Sequence, residues 1–387
     1  MSDETGKWKL PDGENRRIFE EVIAPRALEG VIRPEQPRIV FIGGQAASSK
    51  TTGQRTALER LGEESGVIAD FDALLTDHPD YAGLLARDDR TASQLAGGDA
   101  YVWMRDLIQL AKEERLNIIR EGHMGGGSTE REAVEFRGLG YATEADVMAV
   151  PAAISRTANL HRYQEMREMS LHGRLVATEI HDKAYQGIPR TLQGVDERKF
   201  LDAVRLHRWG GGVVHENALG ADGEWRAPAQ AREALERERT RPLDREQAAW
   251  LQERFDHLSR ALPADLRPQL QEIRALARQV GVTDLGQGSS VSVAAAAGLH
   301  RRTAARAEGG PAQGGAAQGS RAQGGPAQSG PAQGARTQGG PAQGGRTQGG
   351  PGSRVPPPAA PGTGRQLPPQ QGRPSGPQGG PGGGPGR

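Results

Sequence analysis

The sequence predicts an α/β fold of the P-loop type: a parallel sheet flanked by helices, followed by a C-terminal helical appendage and a disordered tail. Three observations predict it. Short apolar strands alternate with helical patterns, a glycine-rich loop follows the first strand, and the composition changes abruptly near residue 286. We expect an N-terminal helical segment at 1–35, a P-loop domain at 36–217, an appendage at 218–285 and a tail at 286–387.

Four apolar runs mark the predicted parallel strands: "RIVFI" (38–42), "GVIADFD" (66–72), "LNIIREG" (116–122) and "ADVMAVP" (145–151). Apolar residues at helical spacing predict helices between and after them. These are residues 14–30, 51–62, 99–115, 128–140, 153–169 and 178–188. Three glycines within residues 203–217 predict a hairpin, and residues 227–280 are charged and helical in pattern.

The tail differs from the rest of the chain in charge as well as in composition. From Gly286 onward there is no Phe, Trp, Tyr or Lys, and residues 309–348 form eight five-residue repeats that each end in Gln. The tail holds 10 Arg and one acid, a net charge of +9, whereas the preceding residues carry −8. A chain this poor in apolar residues cannot offset its ordering entropy. We expect a solvated spacer that contacts nucleic acid only loosely, since no aromatic side chain is present to stack on bases.

The absence of cysteine excludes disulfides and thiolate metal sites. The first 17 residues lack the apolar core of a signal peptide, and no apolar run approaches the ~20 residues of a spanning helix. The sequence therefore predicts a cytoplasmic protein with no membrane contact.

The loop "GGQAASSKTT" (43–52) nearly matches a Walker A phosphate-binding loop, with Ser49 at the second glycine position. Such a loop turns backbone N–H groups and a helix N-terminus toward phosphates. Lys50 supplies the charge for the β- and γ-phosphates, and the Thr51 hydroxyl suits Mg²⁺. The predicted ATP-binding residues are Gly44, Gln45, Ala46, Ala47, Ser48, Ser49, Lys50, Thr51 and Thr52.

Acidic residues follow the second and third predicted strands. In a parallel sheet, ligands bind outside the carboxyl ends of the strands, and these are where Asp70, Asp72 and Glu121 lie. Phosphoryl transfer to an alcohol needs a carboxylate that accepts the hydroxyl proton. Each acid, taken alone, also suits a helix N-cap, and Asp70 suits it best.

Arg162 and Arg174 flank a predicted helix and loop that can reach the phosphates, where guanidinium groups stabilise the transferring charge. Most arginines in so charged a region are solvated. His123, His181 and His215 are not spaced as a metal cluster.

The order of these motifs resembles the zeta-toxin family, P-loop kinases related to UDP-N-acetylglucosamine kinases. The matching pieces span roughly residues 36–217. They are "FIGGQAASSKTT" (41–52), "VIADFDALLTDHPDY" (67–81), "NIIREG" (117–122), "DVMAVP" (146–151), "HRYQ" (161–164) and "GRLVATEIHDKAY" (173–185).

The resemblance implies a role for each matched residue. Asp72 matches the general base, Glu121 a substrate-side acid, and Arg162 and Arg174 the arginines that address the transferring phosphate. It also implies ATP and Mg²⁺ as cofactors, the 3′-hydroxyl of UDP-N-acetylglucosamine as acceptor, and a possible separate antitoxin partner.

The sequence departs from the family at Ser49 and at several acceptor-side positions. Leu75 replaces a basic residue, Arg105 replaces an acid with Asp106 adjacent, and His123 begins a changed segment after the third strand. Asp106 and His123 are therefore expected to contact the substrate together with Glu121. Two alternatives remain open: the same kinase with another acceptor, such as an NAD-like nucleotide or an antibiotic hydroxyl, or an inactive nucleotide-binding interaction protein.

Overall fold

Six strands form one sheet in the computed structural model, which describes residues 6–62, 66–169 and 173–286. Their order across the sheet is β2-β3-β1-β4-β5-β6. The first five are parallel, and β6 pairs antiparallel with β5. The strands are β1 (Arg38–Gly43), β2 (Gly66–Ala69), β3 (Asn117–Gly122), β4 (Ala142–Ala149), β5 (Ala203–Arg208) and β6 (Val213–Ala218).

Helices connect these strands and cover both faces of the sheet. A π-helical turn (Phe19–Ile23) joins the first two helices, and a 3₁₀ turn (Ala264–Leu266) precedes the last. The α-helices are α1 (Asp12–Ile18), α2 (Ala24–Leu28), α3 (Lys50–Leu61), α4 (Phe71–Leu75), α5 (Tyr81–Arg87), α6 (Ala92–Glu113), α7 (Ser128–Gly138), α8 (Ala152–Glu168), α9 (Thr178–Arg198), α10 (Ala231–Thr240), α11 (Arg245–Ala261) and α12 (Pro268–Gln279).

The central strand β1 is buried on both faces, which explains its continuous apolar sequence. Ile39 and Phe41 enter the larger core, with side chains from α6, α7 and α9. Val40 and Ile42 pack on the other face against Ala57 of α3. The two faces together hold β1 firmly, so the loop that follows it starts from a rigid strand.

A buried charge network anchors the far end of α3. Asp146 of β4 is fully buried and accepts a 2.6 Å hydrogen bond from Arg60 of α3. Its other oxygen lies 2.7 Å from Nε2 of His207 on β5. Because a buried carboxylate without partners is very costly, this arrangement ties α3 to two strands.

The N-terminal segment docks on α6 through Asp99. Its buried carboxylate accepts hydrogen bonds from the backbone N–H of Leu10 (3.1 Å) and from Asn15 (2.6 Å). His78, from the "HPDY" motif, is also buried, and its Nε2 lies 3.2 Å from the carbonyl oxygen of Trp8. This histidine therefore holds the N-terminal segment in place.

The C-terminal helices share a core with the sheet domain. Met148 of β4 and Ile154 and Leu160 of α8 pack in one buried cluster with residues of α11 and α12, among them Phe255 and Ile273. The predicted appendage therefore packs on the P-loop domain. Among the described residues, none of the helices has both the length and the apolar character required to cross a bilayer.

Most predicted elements are present, with two corrections. The second strand ends at Ala69, because Asp70 turns the chain into α4, so Asp72 lies in a helix and not on a strand. Helix α9 continues through Pro189 to Arg198, ten residues beyond the predicted end. Burial of Leu192 and Val195 after the proline offsets its cost of ~3 kcal/mol. The tail from residue 287 lies outside the described residues.

Candidate active site

The phosphate loop joins β1 to α3. Ala47 and Ser49 adopt left-handed backbone conformations, with φ of 56° and 64°. Glycine adopts this conformation without strain, which is why a Walker A loop usually has glycine at the position of Ser49. The loop keeps the conformation despite the substitution, and α3 begins immediately afterwards at Lys50.

Two features of the loop suit a phosphate. A Cβ atom on Gly44 would lie 2.2 Å from Oγ of Ser48 and 3.2 Å from Cγ of Lys50, so only glycine leaves this cradle open. Oγ of Ser48 is buried and has no hydrogen-bond partner among the described residues. An unpaired buried hydroxyl is costly and suits a ligand oxygen.

Lys50 projects from the first turn of α3 into the cleft at the carboxyl ends of β1 and β3. Its Nζ lies 3.3 Å from Oε1 of Glu121 and 3.4 Å from the carbonyl oxygen of Gln45. The Lys50 and Glu121 side chains are both largely buried, at 12% and 14% exposed. The ion pair therefore lies in a medium of reduced dielectric, where each charge depends strongly on the other.

Glu121 is surrounded by other acids. Desolvation raises its pKa to about 7, the Lys50 charge opposes this shift, and the charges of Asp70 and Asp72 add to it. Gln54 lies between two of these acids and donates to Oε2 of Glu121 (2.5 Å) and to Oδ2 of Asp70 (3.3 Å). Asp70 is the N-cap of α4 and accepts from the backbone N–H of Asp72 (2.9 Å).

Asp72 forms an ion pair with Arg174. Solvent reaches this carboxylate through the open cleft, and its side chain is 46% exposed. Desolvation works against ionisation, but the hydrogen bond and charge of Arg174, with the charges of Lys50 and Arg162, lower the pKa of Asp72 overall. Asp72 is therefore ionised at neutral pH.

Gly173 lets Arg174 approach the cleft. A Cβ atom on Gly173 would lie 2.5 Å from the carbonyl oxygen of Tyr163 and 2.8 Å from its ring. This close contact places the segment before α9 directly on α8. Arg162 of α8 lies close enough to Arg174, Asp72 and Glu121 for their charges to act on it, so the two predicted arginines share one cleft.

His123 lies beside the phosphate loop and close to Lys50, Asp72 and Arg174. Its Nδ1 is 3.3 Å from the carbonyl oxygen of Gly44. Desolvation lowers its pKa, and the Lys50 charge lowers it further. The imidazole is therefore neutral at pH 7 and available as a hydrogen-bonding group toward a ligand.

Two predicted site residues, Asp106 and Gln45, are placed differently from the rest, and Leu75 marks a position where the sequence departs from the family. Asp106 lies on α6, pairs with Arg105, and lines a groove with residues of the N-terminal segment such as Lys9 and Arg16. The structure does not bring it to Lys50. Gln45 lies in the phosphate loop, but its side chain is fully buried in the protein. Leu75, which stands where the family has a basic residue, is fully buried in the core with Trp103.

Thr51 and Thr52, the last residues of the loop motif, lie in α3. Thr51 is exposed in the first turn of α3, and the backbone N–H of Thr52 donates to the carbonyl oxygen of Ser49 (3.0 Å). Among the described residues, no three His, Asp or Glu side chains converge as metal ligands. The oxygens of Thr51 and Asp70 suit Mg²⁺ chemically, since this ion usually takes one or two protein oxygens together with phosphates and water.

Sequence reasoning missed Gln54 and Arg239. Gln54 follows Lys50 by four residues, so the two share one helix face, and this spacing is a usable signal. Arg239 lies 194 residues from Gln45, to which it donates a hydrogen bond. No local pattern connects residues so far apart.

A family comparison agrees with this geometry. A sequence model of the family described as Zeta toxin matches residues 26–219, half of the chain. The chain belongs to the Zeta toxin family. The match begins in α2, ends just after β6, and includes every residue of the cleft described above. No curated protein sequence matches this Zeta toxin family member.

Comparison with solved structures supports the fold. A chain from the PezAT chromosomal toxin–antitoxin system of the human pathogen Streptococcus pneumoniae overlays with a TM-score of 0.56 and 17% identity, covering 65% of this chain and 99% of its own. The AvrRxo1-ORF1:AvrRxo1-ORF2 complex overlays less well. Its native form gives a TM-score of 0.44 at 14% identity, covering 76% and 89%, and its form with ATP gives 0.43 at 13%, covering 76% and 90%.

Replacing Ser49 with Gly should stabilise the protein by about 1 kcal/mol, because glycine removes the strain of the left-handed conformation. The measurement is urea unfolding of the wild type and the variant. Ala46→Gly is the matched control, since Ala46 is not among the residues with positive φ and should lose stability. A loss of stability in Ser49→Gly would contradict the interpretation.

Glu121 should make stability depend on pH. Its pKa is raised from 4.5 to about 7 in the folded protein, so the folded state binds this proton more tightly than the unfolded state. That contribution is fully present below pH 4.5 and is lost as pH rises to about 7. Between about pH 4.5 and 7, the free energy of unfolding of the wild type should therefore fall by a few kcal/mol relative to that of Glu121→Gln. If the free energy of unfolding changed with pH by the same amount in both proteins, the raised pKa of Glu121 would be refuted.

Proposed function

We propose that the protein is an ATP-dependent phosphotransferase of the zeta-toxin type. It would move the γ-phosphoryl group of ATP to a hydroxyl of a nucleotide-sugar, the 3′-hydroxyl of UDP-N-acetylglucosamine. The observation that carries this proposal is the meeting of Lys50, Arg174, Asp72 and Glu121 beside the phosphate loop. Phosphoryl transfer needs these groups because its catalysis rests on positioning and on charge stabilisation.

The phosphate side of the reaction uses the loop and the two ion pairs. Lys50 is paired with Glu121, and Arg174 is paired with Asp72. Triphosphate oxygens carry more charge than a carboxylate and form charge-assisted hydrogen bonds with both cations. ATP would therefore draw Lys50 and Arg174 away from their acids, while Arg162 adds positive charge at the same cleft.

This exchange of partners would prepare the base. Arg174 and Lys50 hold the pKa of Asp72 below its usual range. When the phosphates engage these cations, the carboxylate of Asp72 becomes more basic and better able to accept the acceptor hydroxyl proton. In-line transfer then breaks the bond between the γ-phosphorus and the bridging oxygen, forms a bond to the acceptor oxygen, and leaves ADP.

Mg²⁺ is the proposed cofactor with ATP. The hydroxyl of Thr51 and the carboxylate of Asp70 would hold the ion together with phosphate oxygens. When bound, the ion neutralises charge on the β- and γ-phosphates. Glu121 and His123 would contact the acceptor. Asp106, which lies in a different groove, is a weaker candidate for this role.

The family suggests a setting for this chemistry. We propose that a separate antitoxin protein restrains the enzyme, as the solved toxin–antitoxin relative suggests. An enzyme that consumes ATP and a nucleotide-sugar would act in the cytoplasm. A different acceptor, such as an NAD-like nucleotide or an antibiotic hydroxyl, is the second candidate. The observations that favour it are the position of Asp106 outside the cleft and the burial of Leu75.

The test is incubation with ATP, Mg²⁺ and each candidate acceptor, followed by mass spectrometry for a product heavier by one phosphoryl group. We expect UDP-N-acetylglucosamine to be phosphorylated. Asp72→Asn should lower kcat by about 10²- to 10⁴-fold, because it removes the proton acceptor but keeps the side-chain size.

Asp284→Asn is the matched control, since Asp284 is an exposed carboxylate beyond the family-matched segment, and it should retain full activity. Full turnover by Asp72→Asn would remove Asp72 as the base. Transfer only to another acceptor would replace the nucleotide-sugar. ATP binding without transfer to any acceptor would favour an inactive nucleotide-binding protein.

A further inference from the structure

A buried chain of hydrogen bonds connects the phosphate loop to the C-terminal helices. Gln45, the third residue of "GGQAASSKTT", has a fully buried side chain. Its Nε2 donates to the carbonyl oxygen of Val150 (2.9 Å) and to Oγ of Ser155 (3.1 Å). Its Oε1 accepts from Nη2 of Arg239 on α10 (3.1 Å). The amide is thus held from both sides, by Val150 just after β4 and Ser155 of α8, and by a helix outside the family-matched segment.

Arg239 is an unusual cation because it is 4% exposed and its hydrogen bonds go to neutral oxygens. It donates to the carbonyl oxygen of Tyr185 (2.7 Å), and its guanidinium carbon lies 3.9 Å from the centre of the Tyr185 ring. Its Nε has no hydrogen-bond partner among the described residues. Burial lowers the pKa of Arg239 to about 10, so the group is still cationic at pH 7.

Such a residue is costly for stability. Burying a cation without a carboxylate partner carries a desolvation penalty that an aromatic face and two neutral oxygens offset only partly. An apolar side chain of similar volume would fill the same space without this penalty. The cost suggests that Arg239 serves the loop it touches.

The network continues beyond Gln45 and reaches α12. Oγ of Ser155 lies 2.8 Å from Nε2 of His181, whose Nδ1 lies 2.7 Å from Oδ1 of Asp182. Arg156, next to Ser155, pairs with both Asp182 and Glu272 of α12. The side chain of Gln45 is therefore held within a network that helices from both halves of the chain form.

We propose that Arg239 is a positioning residue of the nucleotide site, and that the C-terminal helices set ATP affinity through its bond to Gln45. This inference rests on the proposed ATP-dependent function and extends the site beyond residues 26–219. By holding the Gln45 amide, Arg239 keeps the loop in its strained open conformation before ATP arrives. A loop that is already ordered loses less entropy on binding. The buried guanidinium also adds positive potential behind the phosphate site.

The experiment measures Mg-ATP affinity of the full-length chain by calorimetry, and thermal stability in parallel. Arg239→Met should weaken ATP binding by about tenfold, the effect of losing one hydrogen bond to a charged group. The KM for ATP should rise while kcat changes little, because loop order favours binding more than the chemical step. Arg237→Met is the matched control, since Arg237 is an exposed residue of the same helix. The Arg237→Met protein should bind ATP with wild-type affinity.

A double-mutant cycle separates positioning from simple packing. Gln45→Met should weaken binding to a similar degree, and adding it to Arg239→Met should cause little further loss, because both changes break one interaction. Losses that multiply in the double variant would overturn the inference. So would an Arg239→Met protein with lower thermal stability but unchanged ATP affinity, which is the result of a purely structural role.

Two further outcomes are informative. If Arg239→Met does not fold, Arg239→Lys replaces it, and wild-type affinity in that variant would overturn the inference because lysine lacks the planar fork that bonds Gln45 and Tyr185 together. If the wild type itself binds no ATP, the proposed function fails. ATP binding that is insensitive to Arg239 refutes only the positioning role.

Discussion

Charge balance around Lys50 is the constraint on which the cleft depends. The lysine is largely buried, and the nearest carboxylate, Glu121, has a pKa of about 7 because desolvation and two further acids oppose its ionisation. Arg174 balances Asp72 in the same way at the more exposed end. Each cation is therefore balanced by an acid, which is largely buried beside Lys50 and half-exposed beside Arg174. In the proposed function, a triphosphate would replace both acids as the partner of these cations.

The loop that presents Lys50 depends in turn on distant packing. Strand β1 is fixed by apolar contacts on both faces, and α3 is tied to β4 and β5 through Asp146. Between them, Ser49 occupies a left-handed conformation, which is strained for any residue other than glycine. The side chain of Gln45 is held by α8 and α10. Such strain persists only where the surroundings over-determine the backbone, and here helices from both halves of the chain do so.

Local sequence patterns predicted much of this arrangement. The buried strands follow from short apolar runs, and the phosphate loop follows from a local motif. The parallel topology follows from the alternation of strands and helices along the chain. The turn after Ala69 was mispredicted because an N-capping aspartate also suits the end of a strand. Asp106 was placed by resemblance, and the structure puts it beside the N-terminal segment. The bond between Gln45 and Arg239 has no sequence signal, because it depends on how the C-terminal helices pack.

Proton exchange on nucleotide binding tests the central claim most directly, that ATP takes Lys50 from Glu121. Without the lysine and beside the added phosphate charge, Glu121 should have a still higher pKa and take up a proton. Calorimetric titration with Mg-ATP at pH 7.5, in buffers of different ionisation enthalpy, measures this uptake. The account predicts uptake of a fraction of a proton by the wild type and none by Glu121→Gln. Proton release, or equal uptake by both proteins, would contradict it.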